Sequence, residues 1–263
     1  MRKHITLYKN VGETPLMALS KFKEKHRQYR DVSASYAGRL DPMAEGKLLV
    51  LFGEECKKQK EYTGLDKEYE IEVLLDVETD TGDVLGMPLY TGKDTHPSKE
   101  EVTKVLLSQK GTHVRKYPRF SSKTVNGTPL FLHTLLGNDI EIPEHEEHTY
   151  SIRLKKKTTL SSTALMKRVL GALTKVPRTT EPSKALGEDF RQDAIREAWQ
   201  TLFTSLPERE FAVLTLSVVC GSGTYMRTLA GEIGKSLGTE GLALSIQRTK
   251  IGKYWKGLWI RSY

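Results

Sequence analysis

The chain has 263 residues, with 41 Lys+Arg against 33 Asp+Glu, a formal charge of +8, and 38% hydrophobic content. At this length roughly 75% of the chain's surface can be buried, which excludes a disordered tail, a collagen-like rod and a disulfide-stapled mini-protein. The positive balance suits a polyanionic partner.

Two cysteines, Cys56 and Cys220, point to a reducing, cytoplasmic setting. No apolar run approaches the ~20 residues of a membrane span, and the first residues lack a signal-peptide core. Along the chain, Ile5–Tyr8 predict a short strand. A turn through Gly12 and a helix from Pro15 to about His26 follow, with Thr14 as cap and proline at the first helical position. Residues 21–30 form a basic patch at the far end of that helix. A polar, glycine-bounded loop over residues 35–46 then leads into the apolar run Leu48–Phe52, the length of a buried strand. From Tyr69 to Leu75 the pattern alternates, placing Tyr69, Ile71 and Val73 opposite Glu70 and Glu72, and a turn at residues 79–83 closes it. Ser98 and Glu101 match a capping box and predict a helix over 98–108.

Residues 111–131 mix glycine, proline, cations and aromatics with no clean period, which predicts an extended, mobile basic segment. Residues 141–148 are acidic and loop-like, with His145 and His148 in a solvated setting, and a strand restarts at Tyr150–Leu154. From about 156 to 208 the sequence is polar, lysine-bearing and punctuated by proline. It predicts an insertion carrying amphipathic helices near 162–172 and 192–206. Phe211–Cys220 alternates again, Met226, Leu229, Ala230, Ile233 and Leu237 mark one more helix, and a last strand is expected near Ile246–Ile251. Strands outnumber long helices without alternating regularly with them. The fold class is therefore α+β, a mixed, largely antiparallel central sheet with flanking helices.

Several common chemistries find no support. Gly234-Lys235-Ser236 resembles the end of a phosphate-binding loop, but Leu229 stands where its first glycine belongs. His145 and His148 lack a third metal ligand, and the two cysteines form no CxxC pair. Taken one at a time, Asp41 reads equally as an Asp–Pro turn residue, Tyr69 as a core tyrosine and Arg227 as a surface arginine.

Together the motifs say more. Gly38-Arg39-Leu40-Asp41-Pro42-Met43-Ala44-Glu45-Gly46 resembles the aspartate segment of the TruB-type tRNA pseudouridine synthases. Lys67-Glu68-Tyr69 with Thr79-Asp80-Thr81-Gly82-Asp83, and the proline-led segment from Pro118 through Lys123 to Gly127, are similar to further blocks of that family. So are Gly223-Thr224-Tyr225-Met226-Arg227-Thr228 and Ile246-Gln247-Arg248-Thr249, and the five blocks run in the family's order.

The resemblance implies isomerisation of uridine to pseudouridine in RNA, with uridine 55 of the tRNA T-loop as target and the base flipped out of its stack. No redox, hydrolytic or phosphoryl-transfer step is involved, so it implies no cofactor, no metal and no nucleotide. It assigns Asp41 as nucleophile, Tyr69 as the ring that stacks on the target base, and Arg227 as the partner that orients the aspartate in a water-poor cleft. Tyr225, Ile246, Lys9, Tyr36, Arg39, Arg119 and Lys123 are the implied substrate-binding residues; Tyr36 stands where the family carries histidine, and Asn10 after Lys9 where it carries proline.

The organisation implied is one synthase domain over residues 1–263, with an RNA-clamping insertion at about 111–135 and no C-terminal PUA domain. The helical insertion at 156–208 would then grip phosphates through Lys155, Lys156, Lys157, Lys167, Arg168 and Lys175. A monomer that binds tRNA and no membrane is expected. The alternatives are a synthase for another RNA, or an RNA-binding or RNA-folding protein that keeps the scaffold without turnover.

Overall fold

The computed structural model describes residues 2–177 and 191–263. The chain opens with β1 (His4–Lys9), α1 (Pro15–Lys25), β2 (Ala34–Ala37) and β3 (Ala44–Phe52). A short α2 (Gln59–Thr63) leads to β4 (Asp66–Leu75) and to the hairpin of β5 (Val77–Thr79) and β6 (Pro88–Tyr90). Next come α3 (Lys99–Ser108), β7 (Gly111–Lys116), a small hairpin of β8 (Thr124–Val125) and β9 (Thr128–Pro129), α4 (Leu130–Leu135) and the long β10 (Glu144–Ser161). Helices α5 (Ser162–Lys175) and α6 (Gln192–Ser205) precede β11 (Glu210–Cys220), α7 (Met226–Ser236), β12 (Gly241–Trp255) and β13 (Leu258–Ser262).

Among the described residues nine strands form one sheet in the order β1-β3-β12-β4-β11-β10-β7, with β2 joined to β3 and β13 to β12. Every pairing in it is antiparallel except β3 with β12, which run parallel over Ala44↔Ile246 to Gly46↔Arg248. That parallel rung needs glycine. Gly46 has φ +111°, and a Cβ there would sit 2.3 Å from the Arg248 carbonyl oxygen. The expected helix starts are present: the Thr14 hydroxyl accepts from the Met17 amide at 3.1 Å, and Ser98 and Glu101 close a reciprocal capping box.

The sheet is covered on both faces. On one, Tyr69, Ile71 and Val73 of β4 and Ile246 of β12 pack with Val102 and Leu106 of α3 and with Met226, Leu229 and Ile233 of α7. On the other, Leu74, Phe211, Val213, Leu242 and Leu244 meet Leu165, Val169 and Leu173 of α5 and Ile195, Trp199 and Phe203 of α6. The helical insertion is thus one wall of the core. Three of its expected phosphate grips are engaged within the protein: Lys155 pairs with Glu70, Lys157 donates to the Pro97 carbonyl, and Arg168 forks onto Glu72. Lys156, Lys167 and Lys175 stay exposed, and the stretch 178–190 of the insertion lies outside the described residues.

Two expectations are corrected. Residues 111–116 form strand β7, paired with residues 144–149 of β10, where a mobile segment and an acidic loop were expected. The period-two signal is there, but polar residues carry it. The inward positions are His113, Arg115, His145 and Glu147, with the Arg115 guanidinium paired to the buried Glu147 carboxylate. Hydrophobic patterning has no means of registering such a face. Among the described residues no helix is long and apolar enough to cross a membrane.

Candidate active site

Asp41 lies on the loop between β2 and β3, and two buried cations hold that loop by its backbone. Lys9 donates to the Ala44 carbonyl at 2.5 Å and to that of Asn10 at 3.0 Å. Arg248, 1% exposed, donates from Nε to the Lys47 carbonyl at 2.7 Å, from Nη1 to Arg39 at 3.3 Å and from Nη2 to Gly38 at 3.1 Å. Both flanks of the loop are therefore tied to the β3–β12 seam, and the aspartate projects from a braced turn.

Arg227, at the start of α7, reaches Asp41 from 186 residues away in sequence, its Nε donating to Oδ2 at 2.8 Å. Its Nη1 donates to the Thr81 carbonyl at 2.7 Å and its Nη2 to that of Phe120 at 3.0 Å. The buried Asp83 carboxylate stands 3.7 Å from the same Nε. Burial works against the charge on Arg227, but Asp41 and Asp83 more than offset it and hold its pKa above the usual arginine value. Burial also pushes the Asp83 carboxyl up, with Arg227 opposing and Asp41 reinforcing. The Asp41 side chain keeps 43% of its surface exposed while that of Arg227 keeps 5%. The water-poor cleft is present only behind the pair, and the carboxylate's open side faces solvent.

Tyr69 is 9% exposed and shares a cluster with Leu40, Met226 and Ile246, cross-strand from Arg248. Burial raises the pKa of its hydroxyl, with the Arg248 guanidinium opposing. Tyr225, half-buried just before α7, meets Tyr117 edge-on at 5.9 Å and His145 at 5.7 Å. His145 stacks on Tyr117 at 4.1 Å, and the Lys123 ammonium lies 5.1 Å from the Tyr117 ring. The histidine assigned to a solvated loop is thus part of an aromatic wall, its side chain 10% exposed.

The structure brings Asp41, Tyr69, Arg227, Tyr225, Ile246 and Lys9 to one region, with Lys123 at its rim. Tyr36 instead packs toward Leu48 and Val50 on the α1 side of β3, and with Arg39 it lines an open cavity of about 520 Å³ beside Gln59 and Thr63. The Arg119 side chain is exposed. Four neighbours of the site, Asp83, Arg248, Tyr117 and His145, were assigned no role in it from sequence. Asp83 and Arg248 sit inside the motifs quoted, so their identity was visible and their burial was not.

Lys67, on the Tyr69 face of β4, makes the pH dependence of stability testable. Burial, seconded by Arg248, lowers its pKa to about 8, and its ammonium donates to the carbonyls of Thr63, at 2.7 Å, and Leu65. The folded pKa lies below the unfolded value, so the unfolded chain binds more protons between about pH 8 and 10.5, and Lys67 costs stability below that window. Parent stability relative to Lys67→Met is expected to rise by on the order of 3 kcal/mol as pH climbs through it, measured by urea unfolding at both ends. A constant difference would show that the ammonium is not strained by burial.

The α+β fold is shared with chains in solved structures of multi-component complexes. It superposes on a chain in the crystal structure of a Cbf5–Nop10–Gar1 complex with TM-score 0.55 and 16% identity, over 95% of this chain and 48% of that one. A chain in the structure of an H/ACA RNP bound to a substrate RNA containing 2′-deoxyuridine gives TM-score 0.51 and 14% identity, over 94% and 47%. The N-terminal domain of TruB family pseudouridylate synthase matches residues 25–168, and the chain belongs to that family. It is similar to the tRNA pseudouridine synthase B of Syntrophobacter fumaroxidans, 26% identical over 221 residues, and to that of Francisella philomiragia, 27% identical over 222. Each alignment takes in 84% of this chain, which spans about half the length of these relatives, 55% and 56%.

Proposed function

We propose that the protein isomerises uridine to pseudouridine in structured RNA, with the T-loop uridine 55 of tRNA as its target. One observation carries the proposal: a partly exposed carboxylate, Asp41, oriented at 2.8 Å by a buried arginine and set beside a buried tyrosine and an aromatic wall. Family membership and the relatives' names support the reaction class.

The isomerisation breaks the C1′–N1 bond, turns the uracil and rejoins it to C1′ through C5. The proton on C5 leaves and N1 gains one, so the nucleotide's composition is unchanged. A carboxylate is needed to carry the separated sugar or base through this sequence as a covalent or ion-paired partner. Asp41 is suited to this because Arg227 holds it through Oδ2 while its side chain keeps 43% of its surface exposed. RNA docking over that side completes the exclusion of water that the unbound cleft lacks. Tyr69 supplies the stacking surface for the flipped base, whose extrusion costs a few kcal/mol. The Tyr117–His145–Tyr225 wall and Lys123 border the place where the RNA backbone must enter.

The test uses tRNA transcripts carrying tritium at uracil C5. Release to water is expected from the parent and is expected to vanish in Asp41→Asn, with RNA affinity retained. A synthase for another RNA would release tritium from a different transcript. Absence of release from every T-loop-bearing RNA, with binding intact, would leave a non-catalytic RNA-binding protein and sink the proposal.

A further inference from the structure

Past Arg248, the last hairpin of the sheet carries a surface that the catalytic machinery does not use. Residues 241–263 contain five Lys/Arg and no Asp or Glu. Within the hairpin, Lys253 pairs with Arg261 and Trp255 with Leu258, so these four side chains share one face. Trp255 is 58% exposed and Leu258 71%, and the Lys256 ammonium lies 5.7 Å from the Trp255 ring. The other face is occupied: Tyr254 meets Trp259 at 5.3 Å and Tyr150 at 5.4 Å, and Lys250 lies 5.8 Å from the Trp259 ring. Aromatic packing there makes the hairpin a firm platform.

The orientation of the outer face follows from register. Arg248 is opposite Tyr69 and Ile251 opposite Lys67, so Ile251, Lys253 and Trp255 fall on the Tyr69 side of the sheet. Trp255 is seven residues beyond Arg248, which at strand rise is about 23 Å from the Tyr69 rung. A large exposed indole between cations, with no carboxylate nearby in sequence, matches the chemistry of a surface that stacks a base and grips the adjoining phosphates. Resting on the function proposed above, we propose that this hairpin is a second RNA contact. Trp255 stacks on an unpaired base, and Lys253, Lys256 and Arg261 hold flanking phosphates of the same RNA whose target uridine enters the Asp41 site.

Binding of a tRNA transcript to the full chain is measured in an Asp41→Asn background, so that the outcome does not depend on turnover. Trp255→Ala is expected to weaken binding roughly five- to hundred-fold, the range for loss of a stacked base, and Trp255→Phe to restore most of it. Lys253→Ala/Lys256→Ala is expected to lower the slope of log K against log salt by roughly 1.4–1.8, one counterion-release increment per lysine. Trp255 is exposed, so its replacement leaves the fold intact, and unchanged circular dichroism verifies that. Parent affinity in Trp255→Ala would overturn the proposal and mark the hairpin as a surface for some other occupant. If the parent binds RNA through the hairpin but never releases tritium, the reaction fails and the contact stands.

Discussion

Arg227→Lys is expected to lower the rate of tritium release by on the order of 10²–10³-fold while the protein stays folded. The arginine works in three directions at once, from Nε to Asp41, from Nη1 to the Thr81 carbonyl and from Nη2 to the Phe120 carbonyl. A lysine keeps the charge but offers one compact ammonium on a flexible stem, which cannot span an aspartate and two carbonyls in fixed geometry. The carboxylate would then sample orientations that miss the reacting sugar or base, and loss of one preorganised electrostatic partner costs this much in well-studied sites. Arg227→Met separates orientation from stability. It leaves Asp83, 3% exposed, without its cation, and such an orphaned buried charge is expected to cost about 3–5 kcal/mol in urea unfolding. Equal turnover in Arg227→Lys and the parent would show that Asp41 is not positioned by this contact.

The second large effect concerns stability alone. Trp199→Ala, on α6, is expected to destabilise the protein by about 3–5 kcal/mol. Trp199 is fully buried, stacks on Phe203 at 5.5 Å, and donates its indole N–H to the Val84 carbonyl at 3.1 Å. Removing it opens a cavity and orphans that carbonyl in the segment that also carries Thr81 and Asp83. Removing residues 158–206 altogether would strip the cover from Leu74, Phe211, Val213, Leu242 and Leu244, so that truncation cannot test RNA binding separately from folding. A loss below ~1 kcal/mol in Trp199→Ala would mean that α5 and α6 pack loosely on the sheet.

The elements that stood out in the sequence are those whose buried residues are apolar. Leu48–Phe52, Tyr69–Leu75 and Phe211–Cys220 fall within β3, β4 and β11, and the two amphipathic stretches of the insertion became α5 and α6. The β7 strand and the start of β10 escaped because their inner face is a charged and imidazole network. The site was legible in the same uneven way. Motif resemblance singled out Asp41, Tyr69 and Arg227, and the fold sets them in one region. It gave no hint that Arg248, fully buried, ties down both flanks of the aspartate loop. Nor did it show that Tyr36, which it implied to bind substrate, packs with the α1-side core.

What the sequence determined by itself was local: which runs alternate, where helices are capped, and which short motifs occur in which order. These depend on neighbours within a few residues, and periodicity and residue type report them directly. Only the tertiary structure decided which polar side chains are buried and against what. Arg227 and Asp41 are 186 residues apart, and Arg248 grips carbonyls 201 to 210 residues away. The energy of those contacts depends on desolvation and on angle, quantities that exist once strands from both ends of the chain lie side by side in the sheet.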